Sequence, residues 1–127
     1  MVRPRDPSYY QERSHHFLNR VDDELDHDEI ELACELLWGA AAHSIKRAAE
    51  LRAWEHGSHS SLRDTIEQLT LRGAPPHLIG QYGMMSAFHI GFYGDRRFRS
   101  GNLRLAKALV AEFIQTLESL SPAQTAP

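Results

Sequence analysis

The sequence of 127 residues is poor in cysteine and has no strong excess of positive charge. Its single cysteine, Cys34, excludes an internal disulfide framework and is typical of proteins from a reducing compartment. The formal net charge of −3 excludes a global positive field that would attract nucleic acid or anionic membranes, but leaves room for a local basic patch. We therefore expect a cytoplasmic protein.

Long apolar segments are also missing. The longest run, Leu36 to Ala42, is far shorter than the ~20 residues of a membrane-spanning helix. The N-terminal segment has no apolar stretch after its basic residues, so we expect no signal peptide and no membrane partner. Hydrophobic residues nevertheless make up 42% of the chain, as in globular proteins. We expect one domain over residues 1–127, with 1–7 and 121–127 disordered.

Apolar residues recur every three or four positions along most of the chain, and no segment alternates as a strand does. This periodicity predicts an all-α, up-and-down bundle of about five helices. The first helix should begin at Ser8, whose capping box with Gln11 would satisfy two backbone amides, and Ser61 should cap the third. The second, fourth and fifth helices are predicted to span about 29–54, 76–93 and 103–120.

Small residues form a stripe on the fourth predicted helix. Each glycine inside a helix costs up to ~1 kcal/mol, so a compensating close contact with another backbone is expected. The segment 39–42 of the second helix offers a flat partner surface. We therefore predict that these two helices either pack closely or dock across a dimer interface. The members of the stripe are Gly80, Gly83, Ala87, Gly91 and Gly94.

The chain contains eight histidines, a high number for its length. His43 and His89 lie within apolar helices, where each is either a buried imidazole with a satisfied partner or a residue of a functional site. His56 and His59 flank the turn at residues 57–58. We interpret this pair as solvated side chains, with a shared metal ion as the alternative.

Two Glu-x-x-His pairs have the spacing of ligands in di-iron helical bundles: Glu12 with His15, and Glu24 with His27. A complete site would also need an inward glutamate from each of two other helices. Both pairs lie on one N-terminal segment, so a metal-binding bundle is a third-ranked alternative, and we expect no metal and no cofactor. The candidate additional glutamates are Glu31, Glu35, Glu50 and Glu112.

A basic turn before the last helix is the best candidate for an anion site. Arginines with an interleaved aromatic residue near a helix start could hold phosphate or stack on bases, whereas a solvated basic loop is the alternative. The sequence contains neither a nucleophile elbow nor a glycine-rich phosphate loop. The candidate nucleotide- or RNA-binding residues are Arg96, Arg97, Arg99 and Arg104.

Three stretches together resemble HEPN-like proteins (higher eukaryotes and prokaryotes nucleotide-binding), especially their archaeal paREP-type branch. They are LLWGAAAHSIK at 36–46, WEHGSHSSL at 54–62 and AFHIGFY at 87–93. The match covers about residues 28 to 120 in order. The resemblance implies a helical homodimer that associates with RNA or nucleotides, or with a protein partner.

Many HEPN-like proteins are metal-independent ribonucleases with an Arg-x(4–6)-His motif. His89 matches the family histidine, but the arginine position falls on Met84, or on Gly83 or Tyr82 for longer spacings. This departure favours a non-catalytic, dimeric accessory module that touches nucleotide or RNA through the arginine turn.

The alternative function is a toxin-like ribonuclease with a non-standard pair of catalytic residues. Arg52 and His59 are the first candidates for this pair, because they bracket a helix end that the family also has, and His89 is the third candidate. His43 and Tyr93 are further candidates for a ligand pocket.

Overall fold

The computed structural model describes residues 6–93 and 99–120, with the side chains of 90–93 left aside. Within these ranges the chain forms five α-helices and no strand, which confirms the predicted all-α bundle. No helix in the described part is long and apolar enough to cross a bilayer. The helices are α1 (Pro7–Asp26), α2 (Ile30–Glu50), α3 (His59–Leu71), α4 (His77–Tyr93) and α5 (Ser100–Ser119).

The start of α1 differs from the predicted capping box of Ser8 and Gln11. Asp6 is the N-cap, and its Oδ1 accepts hydrogen bonds of 2.9 Å from both the backbone N–H and the hydroxyl of Ser8. These bonds lower the pKa of the Asp6 carboxyl. Pro7 follows in the first turn, where its missing N–H costs nothing. Asp6 and Pro7, which we predicted to be disordered, therefore have a defined place at the start of α1.

The end of α2 also differs from the prediction, because the helix stops at Glu50 and not near Trp54. Ala53 adopts a left-handed conformation with φ of 58°, and the N–H of Trp54 then donates to the carbonyl of Ala49 at 2.9 Å. This reversal turns Trp54 back towards the core. Leu51, directly after the end of α2, is 51% exposed as a result.

The cap of α3 is displaced by three residues from its predicted position. Ser58 is the N-cap, and its hydroxyl accepts from the N–H of Ser61 at 3.1 Å, while Ser61 Oγ accepts from the N–H of Ser58 at 2.9 Å. Ser61 is therefore the reciprocal partner of the cap. The consequence is that His59 becomes the first helical residue.

The predicted glycine packing between α2 and α4 is wrong within the chain. Gly80 and Gly83 are exposed, and a Cβ added at either position would meet no atom within 4 Å. Helices α2 and α4 meet instead through side chains, among them the rings of Trp38 and Tyr82, whose centroids are 6.0 Å apart. Gly91 and Gly94 lie outside the residues whose surroundings are described.

The small residues of α2 pack against α1 and not against α4. A Cβ added at Gly39 would lie 3.0 Å from the Phe17 ring, and the buried hydroxyl of Ser14 donates to the carbonyl of Ala40 at 2.7 Å. A side-chain donor reaches this carbonyl because the neighbouring residues are small. Gly39 thus permits the close approach of α1.

The core is formed along the heptad of α5 and the apolar faces of the other helices. Buried apolar residues recur along α5 with the a/d spacing of a heptad, and the helix begins three residues earlier than predicted, at Ser100. Cys34 is buried, and burial raises the pKa of its thiol to about 11. The buried heptad residues are Leu103, Ala106, Val110, Phe113 and Leu117.

Candidate ligand-binding cleft

A cleft of about 450 Å³ lies between α1, α2 and the segment that leads into α3. Its floor is one face of α2, because its α2 residues recur three or four positions apart and therefore point in one direction. The segment 56–59 and Leu62 form the opposite wall, and Phe17 of α1 contributes one side. The floor residues are Glu35, Leu36, Trp38, Gly39, Ala42, His43 and Lys46.

One end of the cleft, the stacked end, consists of Trp38, His59 and Glu35, with His89 of α4 beside it. The imidazole of His59 stacks on the Trp38 indole, with centroids 4.8 Å apart and planes 16° apart. His89 of α4 lies 5.0 Å from the His59 ring, and its Nδ1 is 3.4 Å from Glu35 Oε2. The structure therefore brings together two of the three sequence-predicted catalytic candidates, His59 and His89.

The other end, the closed end, contains Lys46, His56 and His43. His56 Nε2 lies 2.6 Å from Glu50 Oε2, and the rings of Tyr10 and His56 are nearly perpendicular, with centroids 5.3 Å apart. With 15% of its side chain exposed, His56 is not the solvated turn residue that we predicted. The capped end of α2 folds the turn back onto α1, which explains the difference.

Lys46 supplies a positive charge to this closed end. Its Nζ donates to the carbonyl of His56 at 2.9 Å, and burial lowers the pKa of the ammonium from its usual value. A lysine retains two further donors after one hydrogen bond. Lys46 was missed by the sequence reasoning, although its spacing from Trp38 and His43 on α2 could have indicated that the three share a face.

His43 lines the cleft beside the Phe17 ring, with centroids 5.2 Å apart. Its Nδ1 is 2.8 Å from the carbonyl oxygen of Gly39, which fixes Nδ1 as the protonated nitrogen and leaves Nε2 as an acceptor. Burial lowers the pKa of this imidazole. His43 is therefore neutral at pH 7. The side chain of Tyr93, the other pocket candidate, lies outside the described residues.

The structure describes two of the four residues of the predicted arginine site, Arg99 and Arg104. Arg104 is held by two carboxylates of α1, with Nη1 at 3.1 Å from Asp22 Oδ1 and Nη2 at 2.6 Å from Asp26 Oδ1. It is thus neutralised by the acidic end of α1 and is a poor phosphate ligand. Arg99 is exposed directly before α5, and Arg96 and Arg97 lie outside the described residues.

The candidate pair of Arg52 and His59 is also divided between different environments. Arg52 Nη1 donates to the carbonyl of Ala48, four residues earlier in the chain, at 2.6 Å. Burial lowers the pKa of the Arg52 guanidinium. Its planar fork is therefore engaged with the end of α2, whereas His59 lies on Trp38. Met84, which the resemblance to HEPN-like proteins aligned with their motif arginine, is exposed on α4.

The two Glu-x-x-His pairs are engaged elsewhere. His15 Nε2 lies 2.9 Å from Glu118 of α5, Glu24 accepts from Arg20 at 2.8 Å, and His27 Nδ1 is 2.8 Å from the carbonyl of Asp23. No group of three or more histidine, cysteine, aspartate or glutamate side chains in the described part is arranged to hold a metal ion.

Comparisons with protein-family models, curated proteins and solved structures find no match to this chain. The resemblance to HEPN-like proteins therefore stays a prediction from sequence. What the described residues define is a bundle of five helices with three histidines, His43, His56 and His59, along an open, largely apolar cleft. The function has to be argued from that cleft.

Proposed function

We propose that the protein is a non-catalytic, HEPN-like binding module that takes a nucleotide, or one nucleotide unit of an RNA, into the cleft. The observation that carries this proposal is the stack of His59 on Trp38 in the same cleft as the ammonium of Lys46. A planar ring surface and a cation at a fixed separation suit a ligand with a base and a phosphate.

The base would lie against the outer face of His59. Trp38 is buried and backs one side of this imidazole, while His59 itself is exposed, so the imidazole offers a supported ring surface. Stacking of a base on such a ring contributes roughly 1–3 kcal/mol and depends little on base identity. Glu35, beside His89, supplies an acceptor that an exocyclic amino group of a base would satisfy.

The phosphate would lie towards Lys46. Lys46 is eight residues from Trp38 on α2, about 12 Å along the helix axis at 1.5 Å per residue. Arg13 stands over the Phe17 ring at 4.5 Å and adds positive charge on the α1 side of the cleft. Because the carboxylate of Glu35 marks the opposite end, the cleft is electrically polar and favours one orientation of a nucleotide.

Fluorescence of Trp38 tests this proposal. The variant Trp54→Phe leaves Trp38 as the one remaining indole, and adenosine monophosphate should change its emission as the base contacts the stack. In this background His59→Ala should weaken binding by about tenfold, since one stacking contact is lost. Arg20→Gln, on the surface of α1, is the matched control. An emission that does not respond to nucleotide or to short RNA would refute the cleft as a nucleotide site.

We further propose that the module is a homodimer joined through α4. This helix contains no aspartate, glutamate, lysine or arginine, and it is apolar on the side that faces away from the core as well as on the side that faces it. A helix that is apolar all round is typical of a buried environment. The exposed surface includes Ile79, Gly80, Gly83 and Met84.

Light scattering of Met84→Glu tests the dimer. A carboxylate placed in a two-fold interface would meet its own copy, so the variant should be monomeric at micromolar concentration while the parent protein is dimeric. Leu71→Glu, an exposed apolar position on α3, should leave the dimer intact. A parent protein that scatters as a monomer contradicts the proposal, and a different protein on this face is then the alternative.

A second candidate function is metal-independent RNA cleavage, favoured by the proximity of His59 and His89. One imidazole would accept the proton of a 2′-hydroxyl as its oxygen attacks phosphorus, and the other would protonate the departing 5′-oxygen. Glu35 would stabilise the imidazolium formed at His89. Labelled RNA incubated with a chelator decides between the two functions. The binding module predicts no cleavage above background, whereas cleavage lost in His59→Ala or His89→Ala, and kept in Arg52→Ala, would establish the ribonuclease.

A further inference from the structure

A second pocket, the arginine pocket, shares His59 with the cleft. It has a volume of about 370 Å³ and is lined by His59, Ser60, Arg63, Tyr82 and Ser86. Because His59 belongs to the walls of both pockets, a ligand that stacks on this imidazole would border both of them. The sequence reasoning did not identify Arg63 or this pocket.

The lining of the arginine pocket favours an anion. None of its side chains is an aspartate or glutamate, and Arg63, His59 and Ser60 carry N–H or O–H groups that can donate to one. Arg63 contributes the formal charge. The nearest carboxylate recorded for it, Glu67, stands 3.9 Å from its Nε, and both side chains are at least half exposed, so this contact holds the guanidinium only weakly.

The charge of Arg63 also reaches into the pocket. Burial raises the pKa of the Tyr82 hydroxyl, and the positive charge of Arg63 opposes that increase. The same hydroxyl donates to the carbonyl of His59 at 3.3 Å, which ties the pocket to the stacked end of the cleft. The hydroxyl of Ser86, donating to the carbonyl of Gly83 at 3.0 Å, lies at the rim on α4.

We propose that the arginine pocket binds a second phosphate, so that the ligand is a short single strand whose phosphates lie on both sides of the base held by His59. This inference rests on the proposed nucleotide function of the cleft and extends it, because a mononucleotide has phosphate on one side of its base only. Lys46 would serve the phosphate in the cleft, and Arg63 the phosphate of the neighbouring nucleotide. A planar guanidinium suits this role because it can donate two parallel bonds to phosphate oxygens.

Titrations in the Trp54→Phe background test the proposal with two probes, adenosine monophosphate and the 5′-phosphorylated dinucleotide of adenosine. The dinucleotide should bind about fivefold more tightly, the size of one charged contact at a half-exposed site. Arg63→Gln should abolish this difference and leave the affinity for the monophosphate unchanged. Arg63→Lys should retain part of it, and Glu67→Gln should increase it by removing the competing carboxylate. Arg20→Gln again serves as the charge-matched control.

A dinucleotide that binds Arg63→Gln as tightly as the parent protein overturns the proposal while the cleft function stands. If neither nucleotide changes the emission of Trp38, the proposed nucleotide binding in the cleft is refuted. A titration with inorganic phosphate then tests by itself whether the arginine pocket binds an anion. A resonance shift of the Arg63 Nε–H at millimolar phosphate, absent from Arg20, would support an anion site there. No shift would overturn it.

Discussion

The two ends of the cleft use the same side chain in different ways. At the closed end His43 and His56 are fixed by contacts of 2.8 Å and 2.6 Å and are largely covered by α1. At the stacked end His59 is exposed on Trp38, and His89 Nδ1 lies 3.4 Å from Glu35 Oε2. The comparison indicates that the closed-end imidazoles hold the turn in place, while the exposed imidazole of His59 offers a surface to a ligand.

The largest expected effect is a difference in stability between variants that remove a histidine from one end of the cleft or from the other. His56→Ala should lower the free energy of unfolding by about 1–3 kcal/mol, because the partly buried carboxylate of Glu50 loses its partner. His59→Ala should cost less than about 1 kcal/mol, since only a stacking contact on the surface is lost. Urea denaturation of both variants measures the difference. An equal loss of unfolding free energy in the two variants, or a larger loss in His59→Ala, would contradict a structural role for the closed end and a ligand-binding role for the stacked end.

A smaller effect on stability is expected when a glycine in a tightly packed position or a glycine in an open position is replaced by alanine. Gly39→Ala should be destabilising by about 1 kcal/mol, because its Cβ would lie 3.0 Å from the Phe17 ring and force α1 to shift. Gly83→Ala should stabilise the chain by up to ~1 kcal/mol, since its surroundings are open and alanine is the better helix former. Thermal unfolding of the two variants should show a lower melting temperature for Gly39→Ala and a higher one for Gly83→Ala. Measurements on the monomeric Met84→Glu background remove any contribution from a dimer.

The smallest effect is a pH dependence with opposite signs at two histidines. Burial holds the pKa of His43 below its unfolded value of 6.5, so its stabilisation is complete above pH 6.5 and is lost as the pH falls below it. The carbonyl of Asp23 and nearby carboxylates raise the pKa of His27, so its contribution is present below pH 6.5 and is lost as the pH rises. Urea midpoints of His43→Gln and His27→Gln between pH 5 and 8 should differ from the parent in opposite directions. Parallel curves would exclude the assigned environments.

The helices were predictable from sequence, but several of their ends were not. Periodicity of apolar residues located all five helices, because burial of one face is a property of the helix itself. Helix ends depend on single competing groups. Asp6 competes with Ser8 for the first cap, Ser58 with Ser61 for another, and the left-handed Ala53 ends α2 without a glycine.

The candidate site was predictable only in part. His59 and His89 were chosen from the resemblance, but their positions are 30 residues apart, and their meeting at 5.0 Å depends on how α3 and α4 cross α2. The arginine turn looked cationic in the sequence. The carboxylates that neutralise Arg104 come from α1, 78 and 82 residues away, and no local pattern reveals such a pairing.

The left-handed conformation of Ala53, after the end of α2, lowers the stability of the fold but fixes the direction of the segment that carries two histidines of the cleft. Alanine at position 53 restricts the chain to a conformation that it adopts reluctantly, and one histidine of each cleft end, His56 and His59, follows within six residues. A glycine there would relieve the local torsional cost of roughly 1–2 kcal/mol. A glycine would also give the following segment more conformational freedom. The fold would then be more stable, but the surface on which a base stacks would be less well ordered.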